Sequence, residues 1–432
     1  MSKQTNYLMN TLNKIWQYKD LRLKILVTAG LLALTRVLAH IPLPGVNLLQ
    51  LKAFFSQNQI FGLLDMFSGG TMSQFSIILM GVGPYITSSI IFQLLAMVIP
   101  KLEEMQKEGE AGRQKINQYT RIATIPMAVI QAYSMLALLK SQGIIPGWTT
   151  FDLILMLITA CAGTILLMWI GEIITEKGIG NGVSLIITLG ILSGFPKQFT
   201  NTWAIVSTGD VSKIIGVIAF LVIFIVVMAA IVTITEAQRN IPISYARKVS
   251  GPRSYGSVDT HLPLRVNTAG VIPIIFAMSV MLVPGVVGKY LEQANTEWIR
   301  NSATYVVNLF QNNVFYGIFY FVLVFAFTFF YTSVVFKPDQ ISENLQKQGG
   351  FVPGIRPGTE TKQFLGGVIG KITFLGGLFL GLVAVLPFIV QSITGITTLA
   401  LGGTGILILV SVVIETMRQI DSQIVMHTYD SF

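Results

Sequence analysis

Charge is scarce in this sequence, and each scarcity removes a class of function. Only 11% of its 432 residues are Asp, Glu, Lys or Arg, against 52% hydrophobic, whereas a soluble domain carries about 25% charged residues. Water is therefore not the main solvent for this surface. The single cysteine, Cys161, lies inside an apolar run, which excludes a disulfide within the chain. His40, His261 and His427 are far apart and give zinc or acid–base chemistry little to work with. No metal, cofactor or catalytic residue is expected, and no enzyme activity. Residues 366–371 place glycines before a lysine, but Leu365 and Ile372 break the phosphate-loop pattern. Energy for any transport then has to come from a partner. The first twenty residues also lack the continuous apolar core of a cleavable export signal.

Ionisable groups are missing at mid-membrane depth as well. Arg36 sits near the outer end of its run, and Glu172, Lys371 and Glu415 sit near inner ends. A proton- or ion-coupled transporter keeps Asp, Glu or His at mid-depth. An ion channel needs a ring of carboxylates or a carbonyl filter. Neither pattern is present. A secondary transporter for a neutral solute stays as the competing reading, and a structural membrane scaffold as a third.

What the chain does contain is a series of apolar runs long enough to cross a bilayer, which takes ~20 residues per helix. They fall at roughly 23–40, 76–99, 119–139, 151–173, 183–196, 214–235, 268–288, 314–336, 370–391 and 396–417. The fifth is short, which suits a helix inside the bundle. The expectation is an all-α integral membrane protein with ten transmembrane helices. Five spans precede residue 200 and five follow, which suggests two pseudo-symmetric five-helix halves, 23–200 and 201–417. Residues 1–22 read as a cytoplasmic amphipathic segment, with Leu8, Leu12, Ile15 and Trp16 at helical spacing, and 418–432 as a cytoplasmic tail. With the N-terminus inside, 22 Lys and Arg fall on inner segments and 6 on outer ones. That bias fixes the orientation and accounts for the net charge of +9 without nucleic acid. Two inner loops, about 236–267 and 337–369, are long, basic and rich in Gly and Pro, as functional loops are. The outer segment 41–75 is apolar at Ile60, Phe61, Leu63, Leu64, Met66 and Phe67 before the Gly69-Gly70 break. Too short to span, it reads as a re-entrant half-helix about 60–75, tolerated only inside protein or a cavity.

Five segments carry a family resemblance. They are Gly81-Val82-Gly83-Pro84-Tyr85-Ile86-Thr87-Ser88-Ser89-Ile90-Ile91, Lys107-Glu108-Gly109-Glu110-Ala111-Gly112-Arg113, His261-Leu262-Pro263-Leu264-Arg265-Val266-Asn267, Gly350-Phe351-Val352-Pro353-Gly354-Ile355-Arg356-Pro357-Gly358, and Gly178-Ile179-Gly180-Asn181-Gly182. In order and spacing, from end to end, the chain resembles the SecY family of protein-export channels. The resemblance implies a central pore through which unfolded polypeptide crosses, and a lateral gate that releases transmembrane segments into lipid.

Carried over by motif, the pore ring would be Val82, Ile86, Val183, Ile187, Ile275 and Ile408. Periodicity alone reads these residues as ordinary helix packing. Aliphatic side chains suit the pore role because they close around a chain of any sequence and offer ions no charge. Val stands at 82 and 183 where the family often has Ile, which implies a slightly wider ring. The half-helix matches the family's plug, with Leu63, Leu64, Phe67 and Gly69 as its body. The lateral gate would use Thr87, Gln93, Gln131 and Ser279, where hydroxyls can also bond their own backbone. The loops resemble a docking surface for the SecA motor ATPase and the ribosome through Arg247, Lys248, Arg265 and Arg356. Arg suits RNA phosphate well, although the positive-inside pattern also places such residues there. The resemblance further implies SecE as a clamp, SecG as a third subunit, signal peptides and preproteins as cargo, contact with membrane lipid, and residence in the bacterial inner membrane with both termini cytoplasmic.

Overall fold

The computed structural model describes residues 18–43, 46, 48–57, 65, 68–145, 149–207, 211–245, 260–292, 296–394 and 402–430. In chain order the helices are α1 (Lys19–Ala39), α2 (Leu48–Gln57), α3 (Gly83–Val98), α4 (Pro100–Lys107), α5 (Glu110–Ser141), α6 (Thr150–Lys177), α7 (Gly182–Ser207) and α8 (Val211–Glu236). Strands β1 (Gln238–Tyr245) and β2 (Thr260–Arg265) follow, then α9 (Ile272–Leu291), α10 (Glu297–Gln311), α11 (Asn313–Val335) and α12 (Pro338–Lys347). Strand β3 (Gly350–Phe351), α13 (Thr359–Thr394) and α14 (Gly402–Asp430) close the chain.

Each of the ten apolar runs overlaps a helix, the tenth from Gly402 onward. Among the described residues five spans are long and apolar enough to cross a bilayer: Glu110–Lys140, Thr150–Lys177, Ile214–Glu236, Asn313–Lys347 and Thr359–Val390. The pair α3–α4 makes a sixth, bent by 101° at Ile99. The apolar stretch of α7 is short, Gly182–Pro196, as the sequence led one to expect, but the helix continues past Pro196 to Ser207. Helix starts follow their side chains. Thr149 and Asp152 form a capping box on α6, and the Asn312 amide oxygen accepts from Val314 and Phe315 backbone N–H groups on α11. Pro84, Pro100 and Pro338 stand in first turns, where a missing N–H costs nothing.

The second run departs from expectation at its start. Residues 76–82 are turns, and the helix begins only at Gly83. Phe75 is fully buried with φ +48°, which breaks any regular helix there. The backbone groups freed by the break find partners nearby. Leu43 N–H donates to Phe75 O at 2.7 Å, Ile77 N–H to Ile41 O at 3.0 Å, and Ser76 Oγ to Leu38 O at 2.8 Å.

Two compact units are present. The first holds residues 1–208, 281–311 and 412–432. Its core joins Leu51 and Phe55 of α2, Phe75 and Leu79 of the turn segment, Leu136 and Leu139 of α5, and Ala160 of α6. The second holds residues 209–280 and 312–411. Here α11 packs on α13: Phe325 meets Phe374 edge-on at 5.7 Å between ring centroids, and Tyr316 lies 5.2 Å from Phe388. Gly377 and Gly381 receive the rings of Phe325 and Phe321. Helix α8 turns Ile218, Leu221, Val222 and Ile225 outward, a face that suits lipid.

The two long Gly- and Pro-rich loops are joined in the second unit. Strand β1 pairs antiparallel with β2, from Gln238 opposite Arg265 to Ile243 opposite Thr260. It also pairs with β3, Ser244 opposite Phe351 and Tyr245 opposite Gly350. The otherwise helical chain thus carries a small sheet of order β2-β1-β3. Its apolar face, Ile241, Leu264 and Val352, packs on Leu365, Val368 and Ile372 at the start of α13.

Candidate functional site

The pore candidates of the first unit stand at two helix starts. Val82, buried, is the residue before α3, and Ile86, half-buried, lies one turn on, its N–H donating to Val82 O at 3.1 Å. Val183 and Ile187 share the corresponding spacing on α7. Val82 lines a cavity of about 20 Å³ together with Ile186 and Leu189 of α7 and Gly69. The α3 start thus shares this cavity with Ile186 of α7, a residue the sequence reading did not single out. Val183 turns toward α6, its Cγ2 lying 3.1 Å from the place of a Cβ on Gly171. In the second unit Ile275 is half-buried on α9 and Ile408 fully buried on α14.

Of the plug candidates, Leu63, Leu64 and Phe67 lie outside the described residues. Gly69 is buried with φ +79°, a conformation that favours glycine. A Cβ here would stand 2.9 Å from Gly190 Cα of α7. Asp65 ties the segment together: its carbonyl accepts from Gly70 N–H and its carboxylate from Ser73 N–H, both at 2.7 Å. From the end of α1, Arg36 Nη1 donates to Gly69 O at 2.9 Å. The signal that could have found Arg36 was its place as the one cation in the outer part of a span.

The gate candidates are hydrogen-bonded. Thr87 Oγ1 donates to Gly83 O at 3.0 Å and accepts from Gln131 Nε2 at 3.3 Å, linking α3 to α5. Gln93 Nε2 donates to Ser89 Oγ at 3.2 Å, and Ser279 Oγ to Ile275 O at 3.0 Å.

Arg247 and Lys248 lie outside the described residues. Arg265 ends β2, exposed, on the face of the sheet opposite its apolar core. Arg356 is exposed in the turn after β3, between Gly354 at φ +82° and Gly358 at φ +101°. Its carbonyl accepts from Thr361 Oγ1 at 2.8 Å, and Gly358 O accepts from Ser342 Oγ at 2.7 Å. Neither guanidinium has a carboxylate partner among the described residues. The loop is held by its backbone while the cation faces outward, a geometry that can meet a phosphate or carboxylate.

The SecY family model matches residues 76–417. Over 424 residues the chain is 41% identical to the protein translocase subunit SecY of Thermus thermophilus, covering 96% of this chain and 95% of the relative. A solved SecY translocation channel, described for a plug domain that stabilises its closed state and maintains a membrane seal, matches with TM-score 0.62 at 20% identity, over 92% of this chain and 91% of that one. Sec61 in the canine ribosome-channel complex matches with TM-score 0.61 at 20% identity, over 92% and 91%.

Proposed function

The chain belongs to the SecY family, and from that premise we propose a division of labour among its residues. It is a multi-pass membrane protein and a protein-conducting channel, with no enzyme activity of its own. Its bundle divides into halves 23–200 and 201–417. Val82, Ile86, Val183, Ile187, Ile275 and Ile408 form the constriction through which unfolded polypeptide passes. Leu63, Leu64, Phe67 and Gly69 belong to the plug, and Thr87, Gln93, Gln131 and Ser279 to the lateral gate.

SecE clamps the two halves and SecG joins them. SecA and the ribosome dock on the inner loops through Arg247, Lys248, Arg265 and Arg356. Sec61, a structural neighbour, is known in complex with a ribosome, which favours that side of the assignment. The chain resides in the bacterial inner membrane with both termini cytoplasmic, an orientation supported by the 22-to-6 bias of Lys and Arg.

The observation that carries the pore assignment is the chemistry of the helix starts. Val82 before α3 and Ile86 on it, and Val183 and Ile187 on α7, bring branched aliphatic side chains and no charge to the ends of two apolar helices. A narrow opening lined this way offers no site to an ion and can exclude water. The test is crosslinking. A preprotein stalled in transit joins cysteines placed at Ile86, Ile187 and Ile408. Crosslinks confined to outward positions such as Leu221 and Ile225 would reject the assignment.

A further inference from the structure

Arg36 is a charged group in a place that offers it little. It stands near the end of α1, within the first apolar run. Among the described residues its guanidinium has no carboxylate partner and makes one hydrogen bond, from Nη1 to Gly69 O at 2.9 Å. A guanidinium has five N–H donors and always carries its charge, so a carbonyl aimed at it is held more firmly than by a neutral donor.

The acceptor side has the same logic. Gly69 O has a second polar neighbour, Ser193 Oγ, but at 3.4 Å. That hydroxyl has a single proton, and it already donates to Gly190 O at 2.6 Å. The bond to Gly69 therefore belongs to Arg36. Gly69 in turn lies so close to Gly190 of α7 that a Cβ would reach 2.9 Å from the Gly190 Cα. The cavity beside them, about 20 Å³ between Thr35, Ser68, Thr71 and Leu189, has room for about one water. Three elements thus close on one carbonyl: α1 supplies the cation, α7 the flat glycine surface, and Gly69 at the C-terminal part of the plug the acceptor.

We propose that Arg36 is a positioning residue for the plug: its bond to the Gly69 carbonyl latches the plug's C-terminal hinge against Gly190, and breaking that bond is part of opening. The proposal rests on the channel reading above and adds to it the group that sets the resting state. Moving the plug pulls Gly69 from Gly190 and leaves a cation without its acceptor. Opening is then disfavoured until arriving polypeptide or water supplies another acceptor.

The test uses the full chain assembled with its partner subunits in planar lipid bilayers and reads ion conductance of the resting channel. Arg36→Gln raises the open share by about tenfold, the scale of losing a hydrogen bond to a charged group. Arg36→Lys, which keeps one cationic donor, restores part of the seal. Gly69→Ala, which leaves Arg36 in place but crowds Gly190 and forces a side chain into positive φ, leaks as Arg36→Gln does. It also serves as the second reading should Arg36→Gln not assemble. A channel lacking residues 58–67 is the reference. If that deletion leaks while Arg36→Gln or an assembled Gly69→Ala stays as tight as the parent, the latch is wrong and the channel reading stands. If the deletion leaks no more than the parent, the channel reading fails and takes the latch with it.

Discussion

Arg121 Nε donates to Glu172 Oε1 at 2.7 Å, a bond that ties α5 to α6 in the first unit. Glu172 is only 20% exposed, whereas Arg121 is 46% exposed. The two sides of the pair are therefore unequal. Removing the arginine leaves a largely enclosed carboxylate, while removing the glutamate leaves a cation that water can still reach. From the sequence Glu172 reads as a group reaching for headgroups. It meets Arg121, 51 residues away, because α5 and α6 pack side by side.

The inequality gives the first prediction. Arg121→Ala destabilises the purified chain by about 1–2 kcal/mol, and Glu172→Ala by less than about 1 kcal/mol, since exposed ion pairs contribute little. Thermal unfolding in one detergent, with the double variant completing the cycle, measures the coupling. Equal losses in the two single variants would contradict the account.

The turn between α6 and α7 gives the second. Gly178-Ile179-Gly180-Asn181-Gly182 is held by side chains from three helices: Ile179 N–H donates to Thr28 Oγ1 at 3.1 Å, Gly180 N–H to Gln419 Oε1 at 2.8 Å, and Gly182 N–H to Thr175 Oγ1 at 2.9 Å. A Cβ at Gly182 would overlap the Gly171 carbonyl, while one at Gly194 meets nothing within 4 Å. Gly182→Ala therefore costs about 1–3 kcal/mol by overpacking. Gly194→Ala, in the same helix, is neutral or slightly stabilising, because alanine holds a helix better than glycine. The same thermal assay separates the two, and a costly Gly194→Ala would overturn the argument.

These residues also mark what could be read from the chain. The apolar runs foretold the helices because lipid imposes length and composition on each span separately. Glycines four apart on a helix, a common packing signal, are a poorer guide. Gly377 and Gly381 receive aromatic rings from α11, but Gly194 and Gly370 face open space, and Gly190 lies against Gly69. Spacing cannot say which face of a helix is covered. The sheet was hidden for a related reason. Strands β1 and β3 are about a hundred residues apart, and their pairing depends on α13 offering Leu365 and Val368 as a floor. The outward cations Arg265 and Arg356 were legible because they sit inside motifs, whereas Arg36 acquires meaning only when Gly69 is found beside it.

The third prediction concerns that floor. Leu365 is fully buried beneath the sheet, in contact with a cluster that includes Ile241, Leu264 and Val352. Truncating it to alanine opens a cavity worth about 2–5 kcal/mol. The affected unit is small, so the loss falls first on the pairing of β1 with β2 and β3, while the spans remain packed in lipid. Arg265 and Arg356 then lose their fixed separation. Leu365→Ala should thus weaken motor-driven translocation much as Arg356→Glu does, although it removes no charge. The two are told apart by limited proteolysis, since only Leu365→Ala makes the inner loops quickly cleavable. A Leu365→Ala channel with intact loops and full translocation would mean that the sheet is not what holds the proposed docking cations, Arg265 and Arg356, in place.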